Sequence, residues 1–297
     1  SYKNQQYALS IRQLTPLAKK GYAPAMAQLA YMYEYGIGLP KNETEANKLY
    51  KKLLVSYLSK AETGNAEAQY QIGQLNYGGK SVPENVPEAI RWYLLAAEQG
   101  HLASQYKLAL IYDSGENAPR DTTAAIHWYT KAAEQGHTNS QLFLAIKYYR
   151  GRDVEQNYAQ AAGWFIKAAE SGNAYAQSTL GFMYASGQGV AENKQDALFW
   201  YRKGAEQGDK DSQYDLGMKL NKGDGIPKNQ AEAAKWFEKA AEQGQMAAQF
   251  ELAQMFAKGQ GIGRDDVLAY AWFNVAIMSG HYPATKPRDA LIKLMSA

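Results

Sequence analysis

Residues 172–208 read GNAYAQSTLGFMYASGQGVAENKQDALFWYRKGAEQG, and the chain repeats this stretch from near one end to the other. Trp200 has counterparts at Trp92, Trp128, Trp164, Trp236 and Trp272, all six spaced by 36 residues. Each Trp is followed by an aromatic (Tyr93, Tyr129, Phe165, Tyr201, Phe237, Phe273) and, eight residues on, by a glycine (Gly100, Gly136, Gly172, Gly208, Gly244, Gly280). Gly21 and Gly64 fall in the same role, with Leu49-Tyr50 standing for the Trp-aromatic pair. A fixed period of this length marks a repeat architecture, in which one supersecondary unit recurs.

Counted from each glycine, offsets 5, 8, 9 and 12 carry recurring residues, for example Gln105, Leu108, Ala109 and Tyr112, or Gln177, Leu180, Gly181 and Tyr184. At 100° per residue these fall within a stripe of about 100°, the apolar face of one amphipathic helix. Small residues at offset 9 let a second helix approach closely. That second helix has its own stripe, such as Ala125, Trp128, Tyr129, Ala132 and Ala133. Neither helix can bury its face alone, so helix pairs must stack.

A short loop joins the pair, as in Gly187-Gln188-Gly189-Val190. Gly36, Gly79, Gly115, Gly151, Gly187, Gly223 and Gly259 end the first helix, where a left-handed residue is needed. Two positions later stand Gly38, Gly189, Gly225 and Gly261, or else Ser81, Asn117 and Asp153; Asn and Asp tolerate positive φ better than other side chains. An apolar residue then follows (Val82, Val154, Val190, Ile226 or Ile262) to plug the loop into the core. Polar residues such as Asp121 and Asp196 are expected to open the second helix.

The pattern A-Q-x-x-L-G-x-x-Y-x-x-G-x-G-V followed by K-A-x-x-W-Y-x-K-A-A-E-x-G resembles the Sel-one-like repeat (SLR) family, a relative of tetratricopeptide repeats. Ala176-Gln177 through Gly189-Val190 and Trp236-Phe237 through Gly244 carry the closest likeness, and the resemblance spans about Gly21 to Gly280. It implies helix pairs wound into a right-handed superhelix and used as adaptor surfaces. Bacterial relatives are often exported, and some bind each repeat with a disulfide. This chain has no cysteine and departs from those.

The expected fold is therefore an all-α solenoid of about seven 36-residue helix-turn-helix units forming a single domain over 1–297. It comprises an N-terminal capping helix within 1–20, seven repeats over 21–280 and a C-terminal cap over 281–297. Gln5 to Lys20 reads as a lone second helix that Pro16 kinks or splits. Past Gly280, Pro283 and Pro287 interrupt the pattern, and Arg288 to Met295 forms a short amphipathic cap with Leu291, Leu294 and Met295 on one side. The Gly21–Gly64 spacing exceeds the period by seven residues, close to two helical turns, so one second helix is longer. Its added residues Leu54, Tyr57 and Leu58 are expected to pack on the N-terminal helix, with a partner contact as the alternative.

Composition narrows the function. With 46% hydrophobic and 21% charged residues the chain is globular rather than disordered. Its 32 basic and 29 acidic residues form no Lys/Arg stripe, which argues against nucleic acid. The most apolar run, Ala269 to Met278, is far shorter than the roughly 20 residues of a membrane helix, so no membrane insertion is expected. The absence of cysteine excludes disulfides, thiolate metal sites and a Cys nucleophile. The start at Ser1 reads as either a removed signal peptide or a trimmed start, and the expectation is an exported, periplasmic protein.

No catalytic, cofactor or metal residues are expected. His101, His137 and His281 each follow a repeat glycine; such positions in neighbouring repeats lie a helix layer apart, roughly 10 Å or more, too far for shared metal ligation. His127 is a helix-surface residue. Gly78-Gly79-Lys80-Ser81 imitates a phosphate-binding loop, yet Gln74 stands where a glycine is required and a helix precedes it. Glu98, Glu134, Glu170, Glu206 and Glu242 form a ladder of carboxylates; an active site is made once, so these are expected to satisfy loop groups at the helix ends.

What remains is a variable face on the first helix, at offsets 3, 6, 10, 13 and 14, beside the constant stripe. Resemblance to tetratricopeptide geometry implies that this face lines a concave groove. Its candidate partner-binding residues are Tyr31, Tyr35, Tyr70, Gln74, Tyr77, Tyr106, Leu110, Asp113, Ile146, Tyr149, Arg150, Tyr175, Phe182, Tyr214, Met218, Lys222, Phe250 and Lys258. Tyrosine is large, stiff and polar at its tip, which suits recognition. The offset-6 aromatics have an alternative role in packing between repeats. The expected function is a non-enzymatic adaptor that binds a protein or peptide. A narrower variant is a stoichiometric inhibitor or immunity protein acting on a secreted toxin or envelope enzyme; the rival is a cell-wall or amide hydrolase on a repeat scaffold.

Overall fold

The computed structural model describes residues 2–80 and 84–295, so the readings made for Ser81 and Val82 lie outside it. The chain divides into two compact units, one ending at Ser140 and one starting at Gln141. The first contains α1 (Tyr2–Lys19), α2 (Ala23–Tyr35), α3 (Glu43–Glu62), α4 (Ala66–Tyr77), α5 (Val86–Glu98), α6 (Leu102–Ser114) and α7 (Thr122–Glu134). α8 (Thr138–Arg150) begins at its end. The second contains α9 (Tyr158–Glu170), α10 (Ala174–Ser186), α11 (Lys194–Glu206), α12 (Lys210–Lys222), α13 (Gln230–Glu242), α14 (Met246–Lys258), α15 (Asp266–Met278), a 3₁₀ turn (Tyr282–Ala284) and α16 (Thr285–Met295). Every regular element among the described residues is helical, and consecutive helices pack on one another within each unit, the arrangement of an α-solenoid.

The centre of each repeat is the aromatic after the Trp. Tyr93, Tyr129, Phe165, Phe237 and Phe273 are fully buried, and each such ring is worth roughly 1.5–3 kcal/mol of transfer free energy. The facing residue at offset 9 must be small. A Cβ on Gly73 would lie 2.5 Å from Tyr93 Cε1, and one on Gly181 2.7 Å from Tyr201 Cδ1. The tryptophans that reveal the period lie at the rim of the core instead. Trp128 is buried, but Trp92, Trp164, Trp200, Trp236 and Trp272 are only half-buried. Lysines cover two of these rings, Lys167 Nζ at 4.3 Å from the Trp164 centroid and Lys239 Nζ at 4.4 Å from that of Trp236.

The glutamine at offset 5 is buried because it links three helices. Gln177 Nε2 donates to the Ala169 carbonyl at the end of α9 (3.0 Å), and its Oε1 accepts from Gln207 Nε2 at the end of α11 (2.7 Å). The relay recurs at Gln69, Gln105 and Gln213, through Gln99, Gln135 and Gln243. A buried amide must be satisfied, and here it fastens one repeat to the next. The glutamate ladder does not do this: Glu98, Glu134, Glu170, Glu206 and Glu242 are exposed, and the adjacent glutamine makes the bond.

The loop glycines behave as anticipated. Gly36, Gly79, Gly115, Gly151, Gly187, Gly223 and Gly259 have φ between +62° and +76°. Gly189 needs its missing side chain twice over. Its φ is +77°, and a Cβ would come within 2.2 Å of the Tyr158 carbonyl oxygen, because the loop lies on the start of the preceding second helix. Asp153 takes positive φ at the equivalent place, whereas Asn117 does not and instead donates from Nδ2 to Tyr77 Oη (3.0 Å). Asp121 caps α7, but Asn193 rather than Asp196 caps α11; Asp196 sits in the first turn and accepts from Asn193 Nδ2 (2.6 Å).

The irregular ends differ in detail from the expectation. α1 runs unbroken through Pro16, whose missing N–H removes one helical bond. The long helix is α3, 20 residues against 13 for its counterparts α5 and α7. Leu54 and Tyr57 pack into clusters with Ala18, Leu29 and Ile72, so the packing reading holds for them, while Leu58 stays exposed. The C-terminal cap forms with Leu291 buried, but Leu294 and Met295 are exposed because α16 is short and only one of its turns reaches the core.

Candidate partner-binding face

In the first unit the variable face is built on α2, α4 and α6. Tyr31 and Tyr35, one turn apart on α2, are 47% and 57% exposed with ring centroids 4.6 Å apart. On α4, Tyr70 is half-buried between Tyr93 (5.8 Å) and His101 (4.9 Å). Gln74 bridges the two tyrosines, donating to Tyr70 Oη (2.5 Å) and accepting from Tyr93 Oη (3.0 Å). Tyr77 lies 6.5 Å from Tyr93 and carries Lys107 Nζ 4.0 Å above its ring. On α6, Tyr106 stacks on Tyr129 and His137 (6.3 and 4.2 Å), Leu110 is half-buried, and Asp113 accepts from Tyr129 Oη (3.3 Å).

These residues enclose a hollow of about 490 Å³ lined by Tyr70, His101, Leu102, Ala103, Tyr106, Lys107, Leu110 and His137. A second, polar hollow of about 280 Å³ lies near Tyr35 and Lys80. There Glu34 pairs with Lys80 and accepts from Tyr50 Oη (2.8 Å). Burial alone raises the Glu34 carboxyl, but those hydrogen bonds outweigh it and hold the group below the ordinary carboxylate range. The glycine-lysine segment that imitates a phosphate loop is thus a helix C-terminus whose lysine is already neutralised.

In the second unit the face lies on α8, α10, α12 and α14. Ile146 is half-buried, and Tyr149 meets Tyr158 and Phe165 edge-on (5.4 and 6.0 Å) while donating to Gln188 Oε1 (3.0 Å). Tyr175 and Phe182 on α10 are 47% and 48% exposed, flanking the small residues Ser178 and Thr179. Tyr214 and Phe250 rest on Phe237 and Phe273 (5.9 and 6.0 Å), with Met218 half-buried beside them. Arg150, Lys222 and Lys258 are exposed. Phe250 and Lys258 also border an apolar cleft of about 380 Å³ against α16, completed by Phe273, Leu291 and Leu294.

The offset-6 aromatics take the packing role, resting on the second-helix ring on one side, and are partly exposed on the other. The histidines have a structural place, since His101, His137 and His281 stack on Tyr70, Tyr106 and Phe250. His101 and His137 also cap the next helix through Nδ1.

One set was missed. Offset 7 lies within about 40° of offsets 3 and 14 on a helical wheel, so Lys107, Asp215 and Glu251 belong to this face. Burial lowers the Lys107 ammonium. Burial also raises the Asp215 carboxyl to about 6, with Asp211 and Asp209 adding to the rise and Lys219 opposing it. Glu251 is raised by burial against the pull of Lys222, Lys258 and His281. The helical-wheel angle was the available signal.

A family model for the Sel1 repeat matches residues 23–53, 66–101, 102–137, 138–173, 174–209, 210–245 and 247–281. Among solved structures, a protective antigen present in uropathogenic Escherichia coli strains displaying an SLR fold is 33% identical with a TM-score of 0.78. The match covers 95% of this chain and 59% of that one, so the chain spans well under two thirds of that relative. A Sel1 repeat protein from Oxalobacter formigenes is 32% identical with a TM-score of 0.68, covering 95% of this chain and 80% of that one. No curated protein matches the chain in sequence.

Proposed function

The chain belongs to the Sel1 repeat family, whose members are in general protein-interaction modules, and from that premise we propose that it binds a protein or peptide through the variable face of its first helices. One observation carries this reading. Tyr31, Tyr35, Tyr175 and Phe182 are large aromatics about half exposed on that face, while the aromatic that follows each Trp on the second helix is buried. Folding does not require an exposed ring, and rigid aromatic side chains are what binding surfaces enrich.

The repeat framework is common to all units, so specificity resides in what varies between them. Offset 6 alone runs Tyr70, Tyr106, Leu142, Ser178, Tyr214 and Phe250. Catalysis would need a constellation made once, and His101, His137 and His281 instead recur at one repeat position and stack on Tyr70, Tyr106 and Phe250. An adaptor needs only shape, apolar area and matched charge.

The test is affinity capture from the native host with identification by mass spectrometry, repeated with Tyr106→Ala and Phe182→Ala. At least one partner should be recovered in near-stoichiometric amount by the wild type and lost from a variant whose circular dichroism and melting are unchanged. An identical partner list for all three proteins, or turnover of peptidoglycan fragments by the pure protein, refutes the proposal.

A further inference from the structure

Among the described residues, cations other than Lys107 that are buried or partly buried have carboxylates against them: Lys80 has Glu34, Lys147 has Asp153, Lys219 has Asp224, and Arg288 has Asp289. Lys107 differs. It is half-buried, it lines the 490 Å³ hollow, and its Nζ lies 4.0 Å over the Tyr77 ring with no carboxylate among the described residues paired to it. An ammonium partly removed from water and left with only a ring face retains unmet attraction for an anion.

A second donor opens on the same hollow. His137 Nδ1 faces both the backbone N–H (3.2 Å) and the Oγ (2.9 Å) of Ser140, and it accepts from both when that nitrogen is unprotonated. The ring proton of the neutral imidazole then sits on Nε2, and that N–H has no partner among the described residues. The equivalent nitrogen of His101 is already taken, facing Glu67 Oε2 at 3.1 Å. Lys107 and His137 thus give this hollow an unpaired cation and a free N–H, and Tyr70, Tyr106 and Leu110 give it apolar walls.

We propose that this hollow receives an Asp or Glu side chain of a partner peptide, with Lys107 as counter-ion, His137 Nε2–H as second donor, and an adjacent aromatic or aliphatic residue of the peptide against Tyr106 and Leu110. The proposal rests on the reading of the first-helix face as the binding surface and names the chemistry of its ligand. The charge matches, both lining donors suit an anionic acceptor, and the walls suit the neighbouring residue.

The test pans the intact protein against a random dodecapeptide phage library. Recovered peptides, synthesised with both ends blocked, are then titrated by fluorescence anisotropy. Recovered sequences should share an Asp or Glu beside an apolar residue. Changing that acid to its amide, or Lys107→Gln in the protein, should weaken binding by about tenfold or more. Lys107→Arg should retain binding. His137→Asn, which keeps a side-chain acceptor for the Ser140 N–H while removing Nε2–H, should weaken it less than Lys107→Gln. Peptides that lose binding with Tyr106→Ala or Phe182→Ala but not with Lys107→Gln overturn the carboxylate assignment and leave the adaptor reading standing. Peptides indifferent to all three substitutions, or no enrichment at all, overturn both.

Discussion

Changing Gln177 to Glu alters one buried atom group, and the structure sets its consequence. Gln177 is 4% exposed, donates to the Ala169 carbonyl at 3.0 Å and accepts from Gln207 at 2.7 Å. An ionised carboxylate there keeps the second bond but points an acceptor at a carbonyl oxygen, with no cation at hand. Its folded-state pKa must rise above the unfolded value of about 4.3. For a rise of about 2–3 units, the ionised form loses roughly 3–4 kcal/mol at neutral pH. The sign follows from linkage: the deficit is absent below the unfolded pKa, where the protonated side chain donates to Ala169 as the amide does. It grows as pH climbs through the folded pKa. Urea unfolding followed by circular dichroism, taken as variant minus wild type at each pH, cancels the shared titrations. Gln177→Leu is the control, because the Ala169 carbonyl still accepts from Gly172 N (3.0 Å) and the exposed Gln207 rehydrates. It should cost about 1 kcal/mol at every pH. A deficit for Gln177→Glu that is flat with pH, or below about 1 kcal/mol at pH 7, refutes the relay as a structural element.

Two further substitutions follow from the same geometry. Gly172→Ala and Gly189→Ala both place a side chain at positive φ, but only the second meets backbone, 2.2 Å from the Tyr158 oxygen. Thermal unfolding should show about 1–2 kcal/mol lost for Gly172→Ala and clearly more for Gly189→Ala; equal losses contradict the docking of that loop. Asp215 carries a carboxyl raised to about 6, so its ionisation opposes folding, and the wild type should lose stability as pH rises from about 4 through 6. Asp215→Asn should remove that slope and, with screening by solvent, gain roughly 1–2 kcal/mol at pH 8 and little at pH 3.5.

The repeat was legible because it is a matter of covalent spacing: a Trp every 36 residues and a glycine at nearly every positive-φ position. Even so, the tryptophan that discloses the period is not the core, and the less regular Tyr or Phe beside it is. One residue of helical rotation, about 100°, separates rim from centre. Gln177 was placed on the apolar stripe without its reason, since its partners Ala169 and Gln207 are on other helices and only packing brings them together. The glutamate ladder misled for the converse reason: Glu206 and Gln207 are adjacent in sequence, and only the turn at the helix end decides which one faces inward. On the candidate face the exposed set (Tyr31, Tyr35, Tyr175, Phe182) was legible. The unpaired state of Lys107 was not, because pairing depends on which carboxylates the fold brings near.

The central claim is that the first-helix face, and not exposed aromatic surface in general, binds the partner. Phe182 on α10 and Phe199 on α11 are 48% and 51% exposed, so they differ in location far more than in accessibility. The direct measurement is the Kd of the captured partner for Phe182→Ala and Phe199→Ala, each checked for unchanged melting. The account predicts a loss of about tenfold or more for Phe182→Ala and wild-type affinity for Phe199→Ala. Wild-type affinity for Phe182→Ala with a comparable loss for Phe199→Ala would contradict it.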